Sequence, residues 1–455
     1  MNDTLHAPQA LLPNGWAHDV LLAWDDAGTL IDLRAGVAPP AGAMRAGGPV
    51  VPGIANLHSH AFQRAFAGLT EHRGEADDSF WTWRDLMYRF ALAISPDQLE
   101  AVALQLYIEM LQAGYTAVCE FHYLHHDAGG ARYAEPAEMA LRLQRAADAA
   151  GIALTLLPVL YQTSGFGGAE PRPDQRRFID SVGGLLGIVE RLRGAGCAVG
   201  IAPHSLRAVT PPALADLLAG ARALDPALPI HIHIAEQQRE VDECIAWSGA
   251  RPVRWLLDHA PVDARWCLVH ATHLDAAERD GIVASGAVAG LCPTTEANLG
   301  DGLFDAAAFD AAGGAWGIGS DSHASVDAAE ELRLLEYGQR LALGRRNLLA
   351  SPGRPQVADH LWQTAVRGGA KARGRGAGLA VGQAADFVVL GGDPALDGLP
   401  AAAMLASHVF ARQGGRAISD VWVAGRRRIA DGRHALADDA RARFVAARRA
   451  LVDAS

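Results

Sequence analysis

Pro229-Ile230-His231-Ile232-His233-Ile234-Ala235-Glu236 is a short apolar run that ends in polar chemistry. Its length suits a buried strand, and the helical pattern of Pro211–Ala223 precedes it. The same alternation extends outward in both directions. Candidate strands are Pro49–Asn56, Tyr115–Phe121, Ala153–Leu160, Ala198–Pro203, Pro229–Ile234, Trp266–Val269, Ala287–Cys292 and Ala315–Gly319. Helical stretches such as Pro96–Ala113 and Pro136–Ala150 separate most of them. Strands of this kind, covered on both faces, predict an α/β fold: a (β/α)8 TIM-type barrel. A doubly wound open sheet is the runner-up.

Both chain ends read as small β-structures. Val20–Trp24 and Thr29–Arg34 flank the turn signal Asp25-Asp26-Ala27-Gly28, while Ala385–Leu390 and Asp420–Ala430 carry short strands at the other end. Each end is too small for a core of its own, so residues 1–50 and 378–435 are expected to pack together as one β-sandwich domain. The barrel then occupies residues 51–377, and residues 436–455 form an Arg/Ala-rich C-terminal helix.

Of the 455 residues, 50% are hydrophobic and 20% charged, as in a globular enzyme. A net charge of -11 argues against a general nucleic-acid or membrane-surface binder. The five cysteines are scattered singly, which predicts a reducing compartment, and no signal peptide or membrane span is read, so a cytoplasmic location is expected.

The residues just past each strand decide the chemistry. Strand one runs into His58-Ser59-His60, strand four into His204-Ser205-Leu206-Arg207, strand six into His270, and strand eight into Ser320-Asp321-Ser322-His323. Barrel active sites form at these C-terminal strand ends. His58 and His60 lie two apart in an extended segment, so their rings share a face. A third histidine from strand five and the strand-eight aspartate complete a site for one divalent metal ion, Zn2+ first among candidates. His231 lies about 6.6 Å deeper than His233, so His233 is the expected ligand and His231 a packed residue. His270 either joins the ligands or acts on the bound water, and the second role is favoured. Lys371, the only lysine, lies after strand eight and cannot bridge two metals. Glu120 is the remaining bridging candidate, but its place within a strand suggests packing. The expected ligands are therefore His58, His60, His233 and Asp321.

This array, set between β-rich ends, resembles the amidohydrolase superfamily along essentially the whole chain. Five stretches more narrowly resemble its formimidoylglutamate deiminases: Asn56–Arg64, Ser79-Phe80-Trp81-Thr82-Trp83-Arg84, Glu120–Tyr123, His204–Arg207 and Thr295–Gly302. The resemblance implies hydrolysis of N-formimidoyl-L-glutamate to N-formyl-L-glutamate and ammonia in histidine degradation, and a homodimer. Asp321 and His270 would manage the nucleophilic water, with Glu236, three residues after His233, handling protons on the substrate nitrogen. The substrate is a small dicarboxylate amidine, which calls for guanidinium partners. Arg207 is placed for this by its strand-end position, and Arg84 mainly by the resemblance. Gln63 and Tyr123 are implied hydrogen-bonding residues, with His204 and Ser322 completing the wall. Trp81 and Trp83 are expected to pack a loop. A nucleobase or other heterocycle deaminase with the same metal chemistry is the alternative, and a barrel that has lost its chemistry is a second.

Overall fold

The computed structural model describes residues 3–72, 80–411 and 417–454. Its centre is the expected barrel. Strands one to eight, in chain order, are Ile54–Ser59, Tyr115–His122, Ala153–Leu160, Ala202–Pro203, Ile230–Ile234, Trp266–His270, Val288–Leu291 and Ala315–Ile318. Strands one to four pair in parallel as one sheet and strands five to eight as another. Bridges Ile201–Ile230 and Ser59–Asp321 join the two sheets and close the cylinder. Asn56 locks the second seam: its amide donates to Ser320 Oγ at 2.6 Å and its Oδ1 accepts from Ser320 N at 3.1 Å.

Helices start where the sequence offers caps. Ser95 and Gln98 form a capping box before the helix Pro96–Gln112, and Asp275 with Glu278 does the same before Ala276–Ser285. The helix Val357–Ala372 lies against strands eight and one. Gly368 makes this approach possible, because a Cβ there would fall 1.8 Å from the carbonyl oxygen of Trp316.

The two chain ends meet in one nine-stranded sheet. Asp3–Leu12, a strand not anticipated from the sequence, pairs with Gly15–Trp24, which pairs in turn with Leu30–Arg34. Phe387–Leu390 and Ile418–Val423 continue the sheet on the other side. The bridge Thr29–Ala384 brings its far parts together around Trp24, Phe387 and Trp422, whose rings lie 5.5–5.9 Å apart. The boundary between this unit and the barrel differs from the expected residue 51. Val50–Pro52 belongs to the terminal sheet, between Ala10 and Val388, and strand one begins at Ile54. Gly53 sits at the change of direction, packed so tightly on Thr116 that a Cβ would fall 2.2 Å from it. An apolar run alone does not reveal that its two halves serve different sheets. The C-terminal helix spans Ala437–Ala454 and packs on Pro96–Gln112.

Candidate metal centre and substrate cavity

The expected ligands converge at the C-terminal mouth of the barrel. His58 Nε2 lies 3.1 Å from His60 Nε2 and 2.9 Å from His233 Nε2. Asp321 Oδ1 is 3.3 Å from His58 Nε2 and 3.2 Å from His60 Nε2. Donors at 2.0–2.1 Å from one tetrahedral ion would be about 3.3 Å apart, so this spacing fits a divalent cation. The tautomers agree. His60 Nδ1 donates to the Phe121 carbonyl at 2.8 Å, and His233 Nδ1 to that of His204 at 3.2 Å. Each neutral ring thus keeps its Nε2 lone pair for the centre. Burial pushes the pKa of His58 down to about 3 and that of His233 well below its ordinary value, which keeps both neutral. His58 Nδ1 is buried with no hydrogen-bond partner among the described residues.

Backbone strain accompanies the cluster. Ala235, His270, Ala271, Asp321 and His323, all at or just past strand ends, have positive φ. Such conformations cost free energy and persist where surrounding contacts hold them. At Asp321 those contacts are backbone hydrogen bonds to strand one: Asp321 N to the His58 carbonyl at 3.0 Å, and His60 N to the Asp321 carbonyl at 3.2 Å.

His270 lies at the edge of the donors. Its Nε2 is 3.9 Å from Asp321 Oδ2 and 3.8 Å from Glu236 Oε1, while Nδ1 donates to Glu296 Oε1 at 3.3 Å. Burial opposes a charge on this ring, but Glu236, Glu296 and Asp321 outweigh it and raise the pKa to about 10. His270 also presents a donor atom within 4.8 Å of those of His58, His233 and Asp321, so its place suits either a ligand or a partner of the bound water. Glu236 is buried, and burial pushes its carboxyl pKa up, helped by Asp321 and Glu240 and opposed by His270 and Arg207. Its backbone N–H is pinned by Glu240 Oε2 at 3.1 Å.

A cavity of about 570 Å3, mouth included, opens onto this cluster. His60, Gln63, Arg84, Tyr123, His204, Arg207, His233, Glu236, His270 and Asp321 all line it, so residues from seven segments of the chain meet in one space. Gln63 Nε2 donates to the Tyr123 hydroxyl at 2.9 Å, and Gln63 Oε1 is buried without a partner among the described residues. Arg207 is 7% exposed, and its Nε has no partner among the described residues. Burial works against its charge, but Glu240, then Tyr161 and Glu236, hold it protonated. Arg84 reaches the cavity from the helix Phe80–Ala93, over the ring of Tyr88. The Trp83 segment is therefore helical rather than a loop. Ser79 and the side chains of Phe80, Trp81 and Thr82 lie outside the described residues.

Ser322 departs from the expected wall. Its hydroxyl pairs with Thr295 Oγ1 at 3.0 Å, and it is not among the cavity-lining residues. The left-handed turn at Asp321 directs the next residue away from the mouth. The readings of His231 and Glu120 as packed residues agree with their contacts. His231 Nε2 donates to the Ala372 carbonyl at 2.8 Å. Glu120 accepts from Ser59 Oγ and Ala61 N, both at 2.6 Å, and from the Tyr107 hydroxyl at 3.2 Å. Three contributors escaped the sequence reading as individuals: Glu296 beside His270, Glu240 beside Arg207, and Tyr161, which shares the amide of Gln175 with Tyr88. Glu296 falls within the Thr295–Gly302 stretch that carries part of the family resemblance. The other two arise only when distant segments meet.

Comparison with known proteins agrees with this geometry. Residues 50–428 match the model of the amidohydrolase family, and residues 2–47 match that of the formimidoylglutamate deiminase HutF N-terminal domain. The chain is 54% identical over 455 residues to a formimidoylglutamate deiminase of Pseudomonas aeruginosa, covering 99% of each. The crystal structure of an amidohydrolase from Brucella melitensis superposes with a TM-score of 0.93 at 49% identity, covering 99% of this chain and 100% of that one. An adenosine deaminase from Xanthomonas campestris, solved with bound zinc, shares the fold at a TM-score of 0.76 and 21% identity, with 98% of each chain covered. The chain belongs to the amidohydrolase family and, within it, groups with the formimidoylglutamate deiminases.

Proposed function

We propose that this chain hydrolyses N-formimidoyl-L-glutamate to N-formyl-L-glutamate and ammonia, in histidine degradation. The observation that carries the reading is the sharing of one cavity by a His/Asp donor cluster, a buried carboxyl at Glu236 and two arginines. His58, His60, His233 and Asp321 would hold a single divalent ion, with zinc the first choice. When bound, such an ion supplies Lewis-acid charge that brings the pKa of a water towards about 7.

The chain's own groups carry the remaining work. Asp321 accepts the proton of the attacking water, and His270, held through Nδ1 by Glu296, orients that water from the side. Water adds to the formimino carbon, and a tetrahedral carbon forms. Glu236 faces the cationic nitrogens of the amidine and pairs with their charge as a carboxylate. It relays to the departing nitrogen the proton that Asp321 takes from the water, and takes up the hydroxyl proton as the formyl group forms. The carbon–nitrogen bond then breaks, ammonia leaves, and the carbon keeps the water oxygen as a formyl group. Gln63 Oε1 accepts from a substrate N–H, and the Tyr123 hydroxyl, which accepts from Gln63, keeps its own proton to donate. Arg207 and Arg84 take the two carboxylates, with His204 beside them, and they supply local positive charge in a chain that is negative overall.

Ammonia release separates the readings. Turnover of N-formimidoyl-L-glutamate with no response to guanine or a thiolated adenosine is expected. The opposite pattern would replace the substrate by a heterocycle. A homodimer, on the family resemblance, and a cytoplasmic location, on the scattered cysteines, belong to the same proposal, and sedimentation equilibrium and cell fractionation test them. No described helix is long and apolar enough to cross a membrane.

A further inference from the structure

The opposite end of the barrel holds a second open space, of about 880 Å3 with its mouth included. It lies where strands three, four and five begin: Thr155, Val199 and Pro229 line it, and the loop Arg373-Gly374-Arg375 closes one side. Three arginines, Arg193, Arg373 and Arg375, face a single carboxylate, Asp225. That carboxylate is already engaged. Its Oδ2 accepts from Arg193 Nη2 at 3.2 Å and its Oδ1 from Ala227 N at 2.9 Å.

Arg373 has no such partner. Among the described residues its guanidinium makes one hydrogen bond, from Nε to Thr155 Oγ1 at 3.3 Å, and no ion pair. Burial weighs against its charge. Cys119 and Asp386 pull the other way from beyond ion-pair distance, and Arg375 adds repulsion. A guanidinium does not shed its proton in a protein, so a half-buried one with no carboxylate within ion-pair distance among the described residues keeps its charge for another partner. Its planar fork matches carboxylate and phosphate oxygens.

We propose that this floor cavity is a second binding site, for a small oxyanion held by Arg373 and Arg375. The assignment does not depend on the substrate reading of the other mouth. Cys197 lines the same cavity and is only partly buried, whereas the other four cysteines are buried, so its thiol reports occupancy.

The test measures the rate of Cys197 alkylation in the full chain, with inorganic phosphate or succinate as probe and sodium chloride at matched ionic strength as reference. At a probe concentration ten times its Kd, labelling slows about tenfold. Protection by phosphate alone identifies a phosphate ligand, and protection by succinate alone a carboxylate. Arg373→Met and Arg375→Ala abolish the protection. Arg375 is exposed, so its variant keeps the test decisive if Arg373→Met does not fold. Equal labelling with either probe and with chloride, or protection undiminished in Arg375→Ala, would overturn the proposal.

Discussion

Replacing Arg207 by methionine removes a guanidinium while keeping most of the volume of its apolar stem. The side chain lines the substrate cavity, is nearly buried and has no partner at Nε among the described residues, so its hydrogen-bonding capacity is available to a ligand. Hydrogen bonds to charged groups contribute about 1.5–3 kcal/mol each, and a paired contact to one carboxylate therefore about 3–4 kcal/mol after partial replacement by water. At about 1.36 kcal/mol per decade, kcat/KM should fall by about 10²–10³. Most of the loss should enter through KM, because a carboxylate remote from the reacting carbon is held alike before and during the reaction. Bound metal should not change, since Arg207 is outside the donor cluster.

The same substitution strands Glu240, a buried carboxylate whose principal counter-charge is Arg207. Arg207→Met should therefore also lower the melting temperature. Adding Glu240→Gln should restore stability without restoring kcat/KM. Ammonia release, thermal unfolding and metal analysis on the single and double variants separate the two effects. Turnover within a few-fold of the parent chain, or loss of metal, would refute the assignment of Arg207 to the substrate.

Glu236→Gln should keep its metal and lose about 10²–10⁴ in kcat, the usual worth of a proton-transferring group, and a near-normal rate would remove it from the reaction. A chelator should abolish ammonia release and lower the melting temperature. Restoring zinc to about a thousand times its Kd should return about 4 kcal/mol of stability, which thermal unfolding measures. Asp359 gives a pH test of the contact between barrel and terminal sheet. Its Oδ2 accepts from Trp16 Nε1 at 3.0 Å, and burial, only partly offset by that hydrogen bond, raises its pKa from 3.8 to about 6. A carboxyl raised on folding binds more protons in the folded state, so stability falls as pH rises from about 4 to 6 and stays lower above. Asp359→Asn should match the parent at about pH 4 and exceed it by about 1 kcal/mol at about pH 8, after allowing for partial solvent exposure. Parallel melting curves across that range would contradict this.

Much of the site was legible because strand geometry is periodic. The two-residue spacing of His58 and His60 puts both rings on one face, and the ends of strands five, six and eight supplied His233, His270 and Asp321 at the same level. His231 could be set aside for the same reason, and it bonds to a carbonyl deep in the barrel. The hidden remainder depends on single torsions or on distant encounters. Ser322 turns away because one residue before it is left-handed. Glu240 matters only because Arg207, from another strand end, arrives beside it. Val50–Pro52 looked continuous with strand one, yet its partners lie at both extremes of the chain.

That last arrangement has a consequence for biosynthesis. Val50–Pro52 is hydrogen-bonded on one side to the N-terminal hairpin and on the other to Phe387–Leu390. The second partner is translated roughly 335 residues later, a delay of about 20–70 s at usual elongation rates. Throughout that interval the nascent hairpin presents an unpaired rim, open to neighbouring polysomes or chaperones. Maturation of the enzyme must therefore finish after release of its last strands from the ribosome, however early the histidine-bearing segments emerge.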